Sequence, residues 1–123
     1  MKQVLIVEDE MIVAMVLKKC VEEMGHKVTA IVKNGEKAVS AVRDSEPDLI
    51  LMDLKLKGTM DGISTMLEIR KFSDIPLIYT TGNSDSIAKK RAEDTHFSSF
   101  LVKPICCDEL KKAIEQILPI KLN

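Results

Sequence analysis

An α/β fold, with one parallel sheet covered by helices on both faces, is predicted by three observations. Short, wholly apolar runs recur along the chain, each followed by a stretch whose apolar residues repeat at helical spacing. Strand and helix patterns alternate five times through short loops. The clearest run, Leu49-Ile50-Leu51-Met52, has no polar alternation, as a strand buried on both faces requires, and it ends in one carboxylate, Asp53. A charge at the carboxyl end of such a strand lies at the rim where open α/β sheets place their ligands. Taken alone, Asp53 fits either a cap for the next segment or a reactive group.

The size of the chain, 123 residues, suits one domain spanning 1–123 that buries roughly two thirds of its unfolded surface. No internal repeat, low-complexity segment or linker interrupts it. The net charge of −1, without a basic stripe, argues against direct nucleic-acid binding. Aromatic residues are 3% and Trp is absent, which removes a stacking platform for bases or sugars. The three cysteines, Cys20, Cys106 and Cys107, are an odd number with two adjacent. They predict neither a disulfide framework nor a CxxC metal pair, and so a reducing, cytoplasmic compartment. Met1-Lys2-Gln3-Val4 enters a strand directly without a signal peptide, and no apolar run approaches the ~20 residues that cross a bilayer.

In chain order, residues 4–7 form the first strand, and the acids Glu8, Asp9 and Glu10 follow at once. Ile12, Val13, Val16, Leu17, Cys20, Val21 and Met24 then mark the inner face of a helix, with Gly25 at its left-handed end. Residues 27–32 read as a strand. Asn34 caps a helix carrying Ala38, Val39 and Val42, which Ser45-Glu46-Pro47 stops. After the strand ending at Asp53 comes a polar loop, 55–61, containing Gly58, with Gly62 just beyond. Ile63, Met66 and Leu67 then face inward on a third helix. Residues 76–80 are a fourth strand, running into Thr81-Gly82. Ser84 caps a fourth helix with a thin apolar face of Ile87, Ala88 and Ala92, which predicts low local stability. Residues 98–102 are the fifth strand. A last helix from about Asp108 turns Leu110, Ala113, Ile114, Ile117 and Leu118 inward and ends at Pro119.

Parallel strands share one carboxyl edge, and that edge collects Glu8 and Asp9, Asp53, Thr81 and Lys103. The first turn is acidic and lacks GxGxxG, and no GxxxxGK[ST] occurs. Clustered carboxylates raise one another's pKa unless a cation intervenes. Oxygen ligands of this kind suit a hard ion such as Mg²⁺. Helix-start acids, a surface lysine and a loop hydroxyl would each explain one of these residues singly. Their convergence describes phosphoryl transfer onto a carboxylate. Asp53 is then the nucleophile, and a metal at Glu8, Asp9 and Asp53 offsets the charge. Lys103 and the Thr81 hydroxyl would meet phosphoryl oxygens, with Gly82 leaving room.

The segments Val7-Glu8-Asp9-Glu10, Leu51-Met52-Asp53-Leu54, Tyr79-Thr80-Thr81-Gly82 and Phe100-Leu101-Val102-Lys103-Pro104-Ile105 resemble the receiver domain of two-component response regulators. The resemblance covers essentially the whole chain. It implies a flavodoxin-like (βα)5 doubly wound sheet of strand order 2-1-3-4-5 and transfer from a partner histidine kinase or phosphotransfer protein. It also implies Mg²⁺ or Mn²⁺ as cofactor. Asp53 matches the phospho-acceptor and Glu8 and Asp9 the acidic pair, with Asp9 the more direct metal ligand and the Lys55 carbonyl a third contact. Thr81, five residues after Pro76, matches the switch hydroxyl, with Thr80 its rival. Lys103 matches the family lysine, Phe100 the aromatic that turns inward on activation, and Lys103-Pro104 the family's cis peptide.

The implied switch shifts the fourth helix, fifth strand and fifth helix, a face through which the chain acts as a monomer or a weak dimer. Two features depart from the family pattern. The loop 55–62 is one residue longer than its common form, with Lys57 where Pro is usual, and Lys55 and Asn83 hold positions that govern access of hydrolytic water. Lys55 could block that water or pair with the phosphoryl group.

Two rival readings share the nucleophile or the fold. An aspartyl-phosphate hydrolase would want a carboxylate at 55, where Lys55 stands, and a flavodoxin would want a non-acidic rim. No output domain follows Asn123, so the chain reads as a free-standing regulator or as a receiver cut from a larger protein. His26 and His96 read as surface residues.

Overall fold

Apolar strands without alternation must be covered on both sides, and the computed structural model, which describes residues 2–82 and 86–118, covers them with five helices. The order is β1 (Gln3–Val7), α1 (Met11–Glu23), β2 (Lys27–Val32), α2 (Gly35–Ser45), β3 (Leu49–Asp53) and α3 (Gly62–Ile69). It continues with β4 (Leu77–Thr81), α4 (Ser86–Ala92), a 3₁₀ turn (Glu93–Thr95), β5 (Ser99–Val102) and α5 (Cys107–Ile117). All strand pairs are parallel, in the order β2-β1-β3-β4-β5 that the resemblance implies. The fourth and fifth strands each start one residue later than expected, and the 3₁₀ turn was not foreseen.

Alternate residues of each strand feed two cores. On one face Leu5, Val7, Ile50, Met52, Leu77 and Tyr79 pack with Ala38, Val42, Ile63, Met66 and Ile69 of α2 and α3, and with Ala92 of α4. On the other, Val4, Ile6, Leu49, Leu51 and Ile78 pack with Ala14, Leu17, Cys20 and Val21 of α1 and with Leu110, Ala113 and Ile114 of α5. Helix ends follow the sequence signals. The Asn34 side chain accepts from the Lys37 N–H, Glu46 takes a left-handed conformation after α2, and Gly25 has φ +85° beyond α1. The Asp61 side chain caps α3 by accepting from the Ser64 N–H at 2.8 Å.

Five expectations need correction. On α1, Ile12 is 82% exposed and Val16 is exposed too, while Ala14 takes the core position. The stripe of apolar residues there is wider than the sheet can cover, so one side of it faces out. Leu67 is exposed on α3, where Ile69 lies inward, and Ile87 is 72% exposed on α4. His26 is buried, not a surface residue, and its Nδ1 accepts from the Lys2 N–H. Finally, Cys20 and Cys107 are joined as a disulfide across α1 and α5, with Cα atoms 5.6 Å apart, and exposed Cys106 stays free. An odd number of cysteines permits one bridge, and partners separated by 87 positions are brought together only by the packing of the two helices. The cysteine argument for a reducing compartment therefore lapses. The expected roles of Asn83, Ser84 and Pro119 lie outside the described residues.

The corrected α1 face gives a direct test by urea unfolding. Leu17→Ala should lose about 2–5 kcal/mol, whereas Ile12→Ser should stay within roughly 0.5 kcal/mol of the native chain.

Candidate functional site: an acid–lysine cluster at the sheet rim

Glu8 leaves β1, Asp53 ends β3 and Lys103 follows β5, and strand parity sends all three toward the α1/α5 face at the carboxyl edge. The Lys103 Nζ lies 2.8 Å from Glu8 Oε1 and 3.5 Å from Asp53 Oδ2. Glu8 and Asp53 are both buried. The second oxygen of Glu8 accepts from the Glu10 N–H at 3.0 Å, and Asp53 Oδ1 accepts from the Lys55 N–H at 3.2 Å. One ammonium thus bridges two buried acids from strands far apart in sequence. Burial pushes the Glu8 carboxyl up to about 7, with Asp53 adding repulsion against the pull of Lys103. Burial works against the charge of Lys103, but its bonds to Glu8 and Asp53 outweigh that and raise its pKa.

The donor set suits a hard cation. Carboxylate oxygens of Glu8, Asp9 and Glu10 all lie within 4.8 Å of one another, and Asp9 Oδ2 is buried without a hydrogen-bond partner. A buried carboxylate oxygen without a partner is costly, and a bound hard cation would satisfy it. Glu10, exposed at the start of α1, completes this trio, a role the sequence left as that of a helix-start acid. The Lys55 backbone adjoins Asp53 through its N–H, which puts its carbonyl in the same turn.

Both rim threonines are buried. Thr80 stands in register with Asp53, and its hydroxyl is buried without a hydrogen-bond partner. Thr81 is in register with Val102, and its carbonyl accepts from the Lys103 N–H at 2.6 Å. By parity Thr81 shares the face of Tyr79, whose ring lies 6.1 Å from Phe100 and 5.8 Å from Phe97. Phe100 is half-buried in that aromatic trio, and Lys103-Pro104 is cis.

Sequence reasoning gave Gly62 no part in this site. The Gly62 N–H donates to the Leu54 carbonyl at 2.9 Å, and a Cβ here would collide with the Asp53 carbonyl oxygen and lie 2.9 Å from Leu54 Cα. The first turn of α3 therefore presses directly on the backbone carrying Asp53. The signal was a Gly placed just inside a helix start, after the capping Asp61, where a better helix former would serve.

An open parallel sheet with buried acids and a lysine at its carboxyl rim, where one carboxylate ends the central strand, places a charged site where doubly wound α/β domains hold their ligands. A family model described as the response regulator receiver domain matches residues 4–115, and the chain belongs to that family. It is 33% identical over 114 residues to the transcriptional regulatory protein PdtaR of Mycobacterium tuberculosis, covering 93% of this chain and 55% of PdtaR. It is 32% identical to the sporulation initiation phosphotransferase F of Bacillus subtilis, covering 99% of this chain and 98% of that protein. The chain spans about half the length of PdtaR and of several other curated relatives it matches. Among solved structures, the signal receiver domain of a modulated diguanylate cyclase from Desulfovibrio desulfuricans aligns with TM-score 0.89 at 33% identity, over 96% of this chain and 94% of that one. The receiver domain of the sensor histidine kinase PA1611 from Pseudomonas aeruginosa aligns with TM-score 0.86 at 26% identity, over 97% of this chain and 98% of that one. That structure is described with magnesium in its active-site cleft.

Two measurements probe the site as built. Gly62→Ala should destabilise by about 1–3 kcal/mol in thermal melts, whereas Gly82→Ala, whose Cβ meets nothing within 4 Å, should leave folding unchanged. The pKa of Glu8 is raised above its ordinary 4.5 to about 7, so the folded state holds the extra proton between these values. In metal-free buffer its contribution to stability is full below pH 4.5 and lost as pH rises through about 7. Melting temperature should therefore fall more steeply over that window for the native chain than for Glu8→Gln.

Proposed function

We propose that this chain is a phosphorylation-controlled switch that accepts a phosphoryl group on Asp53 from the phosphohistidine of a partner kinase or phosphotransfer protein. The observation that carries the reading is the bridge of Lys103 between Glu8 and Asp53 at the sheet rim. Asp53 Oδ attacks phosphorus, the donor's imidazole leaves, and an acyl phosphate forms on Asp53. Lys103, already an ion-pair partner of Asp53, turns to a phosphoryl oxygen. Asp9, Glu8, Asp53 and the Lys55 carbonyl would hold Mg²⁺ or Mn²⁺, which when bound supplies charge neutralisation at the attacking and phosphoryl oxygens. Thr80 shares the face of Asp53. Thr81 shares that of Tyr79 and Phe100, so the Thr81 hydroxyl is the group able to tie a new anion to the aromatic trio. Its movement would let Phe100 turn inward and alter the surface of α4, β5 and α5. The acyl phosphate is later hydrolysed, and the chain takes part in transfer rather than in turnover of an external substrate.

The exposed side of α1 supports the donor's identity as a protein. Met11, Ile12, Met15 and Val16 form an apolar patch that begins one residue after Glu10. A groove of ≈ 140 Å³ lined by Ile12, Val16, Lys103, Pro104 and Ile105 joins that patch to the site. An apolar patch rimmed by the reacting groups fits an amphipathic helix presenting a phosphohistidine.

Intact mass after incubation with Mg²⁺ and acetyl phosphate should show one phosphoryl adduct on the native chain. None should appear on Asp53→Asn or in excess EDTA, and an adduct that survives Asp53→Asn overturns the assignment. Ile12→Asp should leave labelling by acetyl phosphate within about twofold while slowing transfer from a phosphorylated histidine-bearing protein by roughly tenfold or more. Equal slowing of both donors would remove the docking role of α1.

A further inference from the structure

The disulfide between Cys20 and Cys107 lies on the sheet face that carries Glu8, Asp53 and Lys103 at its rim. Cys20 is fully buried in α1, while Cys107 is the partly exposed first residue of α5, four positions beyond Lys103. The bond therefore joins the two helices that lead away from the acidic turn and from the lysine. Among the described residues, little else of a polar kind fastens the start of α5. Its N-cap, Cys106, makes no side-chain cap hydrogen bond. A second polar link between these helices, Lys111 Nζ to Glu23 Oε2 at 3.3 Å, is a surface ion pair of small worth.

We propose that the Cys20–Cys107 bond is a thiol–disulfide exchange site for dithiol reductants, and that its redox state sets how tightly the first turn of α5 is held on α1 beside the phosphorylation site. Only the second half of this rests on the phospho-switch reading. A dithiol's thiolate attacks the sulfur of Cys107, the more exposed residue of the pair, forming a mixed disulfide while Cys20 leaves as a thiolate and takes up a proton. The reagent's second thiol then attacks its own sulfur in that mixed disulfide. Cys107 is released as a thiol and the reagent departs as its disulfide. Two electrons and two protons pass from reagent to protein, and an oxidised dithiol reverses the exchange. Cys106, exposed and outside the bond, is a built-in reference thiol.

The test counts thiols and then reads the helix. Iodoacetamide in denaturant should add one group to the unreduced chain, on Cys106, and three after treatment with dithiothreitol. Three groups without reductant, or one after it, would overturn the exchange site. With Mg²⁺ alone, hydrogen exchange in the first turn of α5 should be at least about threefold faster in the reduced chain and in Cys107→Ser than in the oxidised chain. Identical exchange in all three would overturn the clamp. With acetyl phosphate added, the phosphorylation-linked change in α5 exchange should be larger in the reduced chain, and an equal change in both redox states would overturn the link to signalling. Absence of any phosphoryl adduct in either redox state would instead count against the Asp53 reading, because the thiol count and the metal-only exchange do not depend on it.

Discussion

The ammonium of Lys103, held between two buried carboxylates, is the interaction on which this site depends. Burying Glu8 and Asp53 side by side is unfavourable twice over, through lost hydration and through mutual repulsion. A cation arriving from a third strand offsets both terms and fixes the relative height of β1, β3 and β5 at the rim. The parallel sheet brings the three carboxyl ends to one edge, and the ion cluster forms there. The raised pKa of Glu8 records the residue of that conflict, which one lysine reduces but does not remove.

The same rim divides its labour between the two sheet faces. Glu8, Asp53, Lys103 and Thr80 fall on the α1/α5 side, where charge is handled, while Thr81 shares the other side with Tyr79, Phe97 and Phe100. The charged face and the aromatic trio are connected by β4, which carries both threonines, and by β5, which carries Phe100 and leads to Lys103. The Tyr79 hydroxyl is bonded to Thr95 Oγ1 at 2.8 Å, which ties the centre of that trio to the turn after α4. Burial pushes this phenol up to about 12, so it remains a neutral hydrogen-bonding group through the ordinary pH range. A rim of buried acids thus sits on a five-stranded sheet and borders a short helix whose Ile87 is largely in solvent. Elements with so few buried apolar side chains open at lower free energy than the core strands.

Elements that a single period could announce were legible in the chain. The five strands are short and continuously apolar because both of their faces are covered, and the caps at Asn34 and Gly25 are local chemistry that needs no partner. Misreadings fell where apolar residues outnumbered the available core. Ile12, Val16, Leu67 and Ile87 satisfy helical spacing, yet a helix lying on a sheet buries only a narrow stripe, and sequence cannot say which edge of a wide stripe is left outside. His26 went the other way, since nothing in its neighbours announces that the turn after α1 folds back onto the N-terminal strand.

What the sequence determined by itself was the alternation of strands and helices, the position of Asp53 at a strand end, and the short list of acids, hydroxyls and lysine that could meet it. Those are properties of nearest neighbours and of spacing along one element. The tertiary structure decided the rest: that Lys103 bridges Glu8 and Asp53, that Gly62 must be bare because α3 presses on the Asp53 backbone, and that Cys20 meets Cys107 across 87 positions. Each of these is a contact between segments remote in the chain, and its existence depends on how whole helices are laid against the sheet, which no local pattern encodes.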